Sequence, residues 1–416
     1  MNIERLILLC IWLSLSAVES AYSCTILYYE KDGIILAGNN EDWKDPLTHL
    51  WIYAPGQETH GWVKFGFGSG FPQGGMNDQG VFWDATAGPH KEMPYSESNK
   101  TFYTGVLMKK VIEKSSNVSE AKSILQNFYS TDQYRAQYLI GDALGTSMIA
   151  EGDSFLMKQL DYQVLTNFYQ SEPDLGGYPC WRYETANELL AGCDSLTPYY
   201  IGKVLASTCQ DGNYPTQYSN IYDLKNRRVY LFYYHNFKEF LVIDLLEEIE
   251  KGDQTYKISS LFSQIGQLTP AEGDSVYGTE VTISWTGLPG CSYRIIYATN
   301  PQFVNPLLVD APYISEYTGT NASAAILLPL LFLVVLFSRR RNLAGISLFL
   351  ITTIATGLHC EKEGDMVDQE SDTKQSVALN NLEPGTTYFW KIEAINNKSA
   401  PFTTQTIVQS FRTVIK

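Results

Sequence analysis

The first 23 residues constrain this chain most, because they read as an export signal that ends directly before a cysteine. Arg5 precedes the apolar run from Leu6 to Leu15, and small residues follow at cleavage spacing up to Ser23. A membrane span needs about 20 apolar residues, so this run is too short to anchor the chain. We therefore expect an exported protein, secreted, periplasmic or lumenal, whose mature chain begins at Cys24.

Charge and composition exclude several functional classes. The chain has 45 acidic and 30 basic residues, a formal charge of −15, whereas nucleic-acid binding needs a basic face. Apolar residues make up 44 % and charged residues 18 %, which is typical of globular domains. The seven cysteines contain no CxxC pair and the five histidines no HExxH pattern. We expect no metal and no organic cofactor.

Strand and helix patterns alternate up to about residue 264. Two β-rich runs, Cys24–Tyr29 and Gly33–Gly38, predict a hairpin that starts at the mature N-terminus. Helical spacing covers Tyr103–Phe128 and Glu184–Ala191. The glycine-rich run Gly66–Gly75 lacks the phosphate-loop pattern and predicts a turn-rich loop. This order predicts an α+β layered domain over residues 24–264.

After residue 264 the sequence shows strand patterns and no helical spacing outside the apolar insertion. Val281–Trp285 and Tyr293–Tyr297 alternate as strands, and Leu382–Ala394 and Phe411–Val414 follow much later. The tryptophan on an early strand, the LxPGTxYxW turn and the closing strand resemble a fibronectin type III module. That family is a β-sandwich of about seven strands, used for spacing and binding. The resemblance predicts such a domain over residues 265–416.

An apolar insertion, residues 320–359, interrupts this second domain. Ala322–Phe337 and Asn342–Leu358 carry no charge and flank Arg339 to Arg341. The interpretation we favour is a membrane hairpin with the arginines in a cytoplasmic turn, which would anchor the protein to a membrane. A buried helical insertion in a soluble protein and a sequence artefact stay open as alternatives.

The motif that indicates chemistry lies at the start of the mature chain. Cys24-Thr25 opens the first strand, and Gly38-Asn39-Asn40-Glu41-Asp42-Trp43 ends the second. Further motifs follow in order at 76–81, 138–145, 164–167, 181–183 and 219–224. Together they resemble choloylglycine hydrolases, penicillin V acylases and acid-ceramidase-like amidases. Those are N-terminal-nucleophile hydrolases with a four-layer αββα fold, and they cleave linear amides rather than peptides.

This resemblance implies a role for four residues. Cys24 would attack the amide of a small N-acyl substrate and hold the acyl group as a thioester. Its own α-amine, which titrates near pH 7.7–8.0, would act as the base. Asp42 would orient that amine, Asn167 would donate its amide to the oxyanion, and Arg182 would position the network.

Substrate contacts are expected from Asn39, Trp43, Trp83 and Phe168. The aromatic side chains suit either a pocket wall or the core. Asn39 departs from the family motif, which has arginine at this place, and this departure puts bile-salt or penicillin-like specificity in doubt.

Two other functions stay open from the sequence. A catalytically impaired surface binding or adhesion protein would use the fibronectin-like module, and a thiol dipeptidase of related fold would share the chemistry of Cys24. Alternatively, Cys24 forms half of a disulfide or carries a lipid.

Export also predicts disulfides among the other cysteines. We expect one bond among Cys180, Cys193 and Cys209, although their pairing does not follow from spacing, and a second bond between Cys291 and Cys360.

Overall fold

A computed structural model describes residues 24–93, 99–262, 265–287, 291–311, 373–396 and 402–415. The expected export signal at 1–23 and the apolar insertion at 320–359 lie outside these residues. Within the described ranges, no helix combines the length and hydropathy that crossing a bilayer requires.

The first part of the chain is rich in strands and has few helices. Its strands are β1 (Thr25–Lys31), β2 (Ile34–Asp42), β3 (Thr48–Tyr53), β4 (Trp62–Phe67), β5 (Pro72–Asn77), β6 (Phe82–Ala87), β7 (Thr101–Phe102), β8 (Phe128–Tyr129), β9 (Ala136–Gly141), β10 (Ser147–Glu151), β11 (Ser154–Met157), β12 (Tyr162–Leu165), β13 (Thr216–Asp223), β14 (Arg228–Tyr233), β15 (Asn236–Asp244) and β16 (Gln254–Lys257). Its helices are α1 (Leu107–Lys114), α2 (Val118–Asn127), α3 (Trp181–Ala191), α4 (Pro198–Thr208) and α5 (Leu245–Ile249).

The predicted N-terminal hairpin is confirmed, and it sets the position of Cys24. β1 and β2 are antiparallel, with Thr25 paired to Asn40, and Gly33 takes the positive φ that the turn requires. Because the register is fixed at Thr25, the preceding Cys24 lies opposite Glu41, next to the end of β2.

Two sheets carry this part of the fold. Sheet A contains β12-β1-β2-β13-β14-β15 in that order, and sheet B contains β11-β10-β9-β6-β5-β4-β3-β16. Ile26 and Tyr28 of β1 pack in a cluster with sheet B side chains, whereas Leu27 packs with helices α3 and α4. Alternate residues of β1 thus bury both faces of sheet A. On the other face of sheet B, Trp83 packs in a hydrophobic cluster with side chains of α1 and α2.

The glycine-rich run 66–75 is predicted to be a loop, and this prediction is wrong at both ends. Residues 66–67 belong to β4, and residues 72–75 belong to β5. A Cβ atom at Gly74 would lie 2.0 Å from Oδ2 of Asp84 on neighbouring β6, and one at Gly75 would lie 2.1 Å from the carbonyl oxygen of Val63 on β4. The glycines therefore permit close packing inside a strand, a need that local composition does not reveal.

Helix α4 was not predicted, although its start carries two ordinary signals. The Thr197 side chain accepts a hydrogen bond from the Tyr200 amide at 3.1 Å, and Pro198 occupies the first turn. The predicted helical run at 103–128 divides into α1 and α2, and Asn117 caps α2 by accepting from the Glu120 amide.

The described residues from 265 onward, the C-terminal module, form strands alone. They are β17 (Gly266–Thr269), β18 (Asp274–Tyr277), β19 (Val281–Gly287), β20 (Cys291–Ala298), β21 (Leu307–Asp310), β22 (Thr373–Leu379), β23 (Thr387–Asn396), β24 (Thr404–Thr406) and β25 (Gln409–Val414). A three-stranded sheet, β17-β19-β22, shares one core with the strands β18, β20, β21, β23 and β25. Trp285 and Trp390 are fully buried in this core.

Sheet A does not stop at the boundary between the two parts. β24 pairs with β15, matching Glu239 to Thr406 and Leu241 to Thr404. Sheet A therefore continues into the C-terminal module and comprises twelve of the described strands. Phe402, just before β24, is buried in the core between sheets A and B and packs against Tyr256. The module is therefore joined to the first part by both backbone pairing and a side-chain anchor.

Candidate active site

A cavity of about 770 Å³ opens over Cys24, which is only 5 % exposed. Cys24, Glu41 and Asp42 contribute polar groups to its lining. The aromatic residues that line it are Trp43, Phe67, Phe71, Trp83, Tyr134 and Tyr138. The cavity thus joins a buried thiol to a largely apolar wall, as small-molecule sites commonly do.

Arg182 brings the four predicted catalytic residues together. It lies in the first turn of α3 and is 4 % exposed. One terminal nitrogen donates to the Cys24 carbonyl at 2.6 Å and lies 3.8 Å from Asp42 Oδ2, while the other donates to Asn167 Oδ1 at 3.0 Å. A planar guanidinium can hold such divergent partners at once, which lysine cannot do.

Asp42 is held at one oxygen and open at the other. Oδ1 accepts a 2.5 Å hydrogen bond from the Thr216 hydroxyl of β13. Oδ2 is buried without a hydrogen-bond partner. Burial raises the pKa of Asp42 well above its usual range, while the Thr216 bond and the Arg182 charge act in the opposite direction.

Asn167 follows β12 and contacts residues of the cavity wall without lining the cavity itself. Its amide nitrogen donates to the Thr86 hydroxyl at 2.5 Å and to the Ala87 carbonyl at 2.7 Å, and both partners line the cavity. The Arg182 contact to its oxygen fixes which end of the amide faces Thr86. To donate to an oxyanion, the amide nitrogen must exchange one of these partners.

Glu41 is a site residue that the sequence reasoning missed. It is 3 % exposed, and its Oε1 lies 3.8 Å from the Cys24 sulfur. Its Oε2 accepts from the Asn39 amide at 3.3 Å. Burial raises the pKa of Glu41 to about 8. Glu41 occupies the variable position of the family motif, between Asn40 and Asp42, so the motif gives it no role. The pairing of β1 with β2 is the signal that could have identified it, because this register puts Glu41 opposite Cys24.

The Cys24 thiol lies in surroundings that disfavour its ionised form, because the Arg182 guanidinium contacts the Cys24 carbonyl while acidic side chains face the sulfur. Burial, followed by the charges of Glu41 and Asp42, raises the pKa of Cys24 well above its usual range. The pKa of Asp84 is also raised, by burial and then by Glu41. A neutral thiol in this setting needs a base before it can act as a nucleophile.

The predicted substrate contacts divide into two groups. Trp43 and Trp83 line the cavity. Phe168 is instead buried between Tyr178 and Tyr183, with ring centroids at 5.0 and 5.1 Å. Asn39 is fully buried and bonds to Glu41, so among the described contacts it acts on the carboxylate beside the thiol.

The disulfide expected within the first part of the chain is not formed. Cys180, Cys193 and Cys209 are all unpaired among the described residues. Cys193 is 4 % exposed and packs in the core beneath α3 and α4, as a small apolar residue would. Cys360, the expected partner of Cys291, lies outside the described residues.

The raised pKa of Glu41 predicts how stability depends on pH. Between its ordinary value of 4.5 and about 8, the unfolded chain loses this proton while the folded chain keeps it. Stability should therefore fall as the pH rises from about 5 to 8. In melting temperatures measured over this pH range, we expect the decrease to be smaller in Glu41→Gln than in the wild type. The decrease that remains is due to Asp42 and Asp84, whose pKa values are also raised. Glu58→Gln, at a largely exposed site, is the control and should change nothing. A parallel fall in both variants contradicts the assignment.

No family model and no curated protein matches this chain. Its structural neighbours include a penicillin V acylase and a conjugated bile acid hydrolase. The penicillin V acylase of Agrobacterium tumefaciens has 16 % identity and a TM-score of 0.45, covering 56 % of this chain and 91 % of its own. A mutant and a variant of the conjugated bile acid hydrolase of Clostridium perfringens each have 18 % identity and a TM-score of 0.45. They cover 56 % of this chain and 96 % and 97 % of their own.

Proposed function

We propose that residues 24–264 form an N-terminal-nucleophile amidase that hydrolyses the linear C–N bond of a small N-acyl amide. One observation carries the proposal: Arg182 joins the Cys24 backbone, Asn167 and Asp42 into a buried cluster, and Cys24 and Asp42 of this cluster line a largely apolar cavity. The packing of helices on the outer faces of two sheets supports the four-layer αββα arrangement.

The first step is the activation of Cys24. Cleavage after Ser23 would free an α-amine, which titrates near pH 7.7–8.0 and so can accept the thiol proton at working pH. Asp42 Oδ2 lies 3.8 Å from Arg182 and accepts no hydrogen bond from the described residues, so it can accept one from that amine. The need for such a base follows from the raised pKa of the thiol.

The second step is acyl transfer. The sulfur attacks the amide carbonyl carbon, a C–S bond forms, and the oxygen becomes an oxyanion. Asn167 would donate its amide to that oxygen, a contact worth about 2.7–4 kcal/mol in other enzymes. The C–N bond then breaks as the α-ammonium returns the proton to the leaving amine. Water, deprotonated by the same amine, then attacks the thioester. The C–S bond breaks, the α-ammonium returns its proton to the Cys24 sulfur, and the carboxylic acid leaves.

The lining of the cavity favours an uncharged, apolar acyl group. Trp43 and Trp83 offer apolar surface, and the position that carries arginine in related motifs is Asn39, bonded to Glu41. A carboxylate or sulfonate on the acyl group would therefore find no cation from β2 and would meet the carboxyl group of Glu41, which burial keeps protonated up to about pH 8. The arginine that lines this cavity is Arg135, which comes from a different part of the chain.

We propose that the C-terminal module is a fibronectin type III-like sandwich interrupted by 320–359, and that the whole protein is exported. Two sheets sharing the core around Trp285 and Trp390 support the first statement. Anchoring to a membrane through 320–359 stays a prediction.

The proposal is tested by expressing the full chain with export and determining its intact mass and N-terminus. We expect Cys24 at the N-terminus, acid release from N-acyl amides and no cleavage of dipeptides. Activity from a chain that begins elsewhere contradicts the α-amine mechanism. Cleavage of dipeptides alone favours the thiol dipeptidase, and an unreactive Cys24 towards thiol probes favours the binding protein.

A further inference from the structure

A second cavity, of about 820 Å³, lies where the first part of the chain meets the C-terminal module. We call it the junction groove. It shares no lining residue with the cavity over Cys24. Its aromatic lining comes from both sides of the junction: Tyr199, Tyr230, Phe232, Phe237, Phe240, Phe303 and Phe389.

The groove is built by the pairing of β15 with β24. Phe240 lies on β15 opposite Gln405 of β24, and both line the groove. Phe232 and Phe240 contact each other with ring centroids 5.8 Å apart, and Phe237 lies 5.3 Å from Phe232. Because these rings are held by a sheet, the groove is formed before any ligand enters.

The charge of the groove is opposite to that of the chain. Three lysines line it, Lys203, Lys238 and Lys391, against the single acid Glu272. Glu272 is occupied by the amide and the hydroxyl of Ser410. In a protein of net charge −15, this is a local concentration of positive charge.

The lysines differ in how they are held. Lys391 donates to Gln405 at 2.7 Å and lies 3.7 Å from Glu393. Lys203 and Lys238 are exposed and form no ion pair within the described part of the chain, and Lys203 lies 4.6 Å from the Tyr199 ring centre. Two ammonium groups at an aromatic groove are thus available to an anionic head.

We propose that the junction groove binds a long-chain carboxylic acid, with its aliphatic chain against the aromatic side chains and its carboxylate at Lys203 and Lys238. Removing each buried methylene from water contributes about 0.8 kcal/mol, which makes an aliphatic chain the favoured apolar occupant. The volume lies within the range of about 300–1,000 Å³ typical of small-molecule sites, and suits a single chain rather than a protein partner. This binding does not depend on hydrolysis at Cys24.

The test is an isothermal calorimetric titration of the full-length protein with sodium laurate. In Lys203→Glu/Lys238→Glu we expect the Kd for laurate to rise about ten-fold or more, because attraction becomes repulsion. Lys225→Glu/Lys257→Glu makes the same change of charge at two other exposed lysines and should leave the Kd unchanged. Dodecyltrimethylammonium, with the same chain and a cationic head, should bind the wild type more weakly than laurate does.

Three results overturn the proposal. They are an absence of saturable laurate binding, equal Kd values in the two double variants, and a loss of binding in Phe71→Asp. Phe71 is 42 % exposed and lines the cavity over Cys24, so its substitution reports on that cavity alone. Unchanged melting temperatures show that the surface variants are folded, and unchanged amide hydrolysis separates this site from the proposed active site.

Discussion

Cys24→Ala is expected to lower kcat/KM for an N-acyl amide by about 10⁴-fold or more. Removing the nucleophile of a hydrolase typically costs up to about 10⁶-fold in kcat. The loss should be large here because no other cysteine sulfur lines the cavity among the described residues. Initial rates on one amide over a range of substrate concentrations give the measurement, together with the loss of labelling by a thiol probe.

Cys209→Ala is the matched control. Cys209 is partly exposed and its sulfur contacts only the Ala206 carbonyl, at 3.2 Å, among the contacts described for it. This variant should hydrolyse the amide at the wild-type rate. A Cys24→Ala protein that keeps a tenth of the wild-type rate would show that the thiol is not the nucleophile.

Arg182→Leu is expected to lower the free energy of unfolding by about 3–5 kcal/mol, the usual cost of removing one partner of a buried ion pair. The substitution removes the cation that lies 3.8 Å from the buried Asp42 Oδ2, and it removes the donor to Asn167 Oδ1. It also frees the Cys24 carbonyl. Hydrolysis should fall by about 10²-fold or more at temperatures where the variant is folded, because a small misplacement of reacting groups has that cost.

Arg228→Leu provides the comparison for an exposed arginine. Arg228 pairs with Asp244 at 3.2 Å on the surface, and such pairs contribute about 0–1 kcal/mol. Arg182→Lys keeps the charge without the planar fork and should lie between the wild type and Arg182→Leu. Chemical denaturation measures all three variants. Equal destabilisation by Arg182→Leu and Arg228→Leu would contradict a central role for Arg182.

The sequence predicted the hairpin, Arg182 and the three candidate residues that Arg182 joins, because their signals are local or come from a motif. Cys24 and Asp42 lie at the ends of two short strands whose pairing follows from their turn. Glu41 could not be recognised in the same way. A charged side chain in a strand usually points to water, and only the close approach of sheet B makes this one 3 % exposed.

Contacts between residues far apart in the chain could not be predicted from local sequence patterns. β24 has three residues, and its partner β15 lies far away along the chain. Nothing in the local composition around 404–406 indicates that this strand extends sheet A. Phe402 is buried in the core between sheets A and B, whose other residues lie far from it in the sequence. For the same reason, its burial could not be predicted.

The pairing of β15 with β24 changes what the boundary near residue 264 means. Without the C-terminal module, β15 would be the edge of sheet A, with unpaired amide and carbonyl groups that can recruit strands from other molecules. The site of Phe402 would also become an opening into the core. The module therefore covers this edge, and we expect the parts on either side of the compositional boundary to depend on each other for stability. The described chain should accordingly melt cooperatively, as one body.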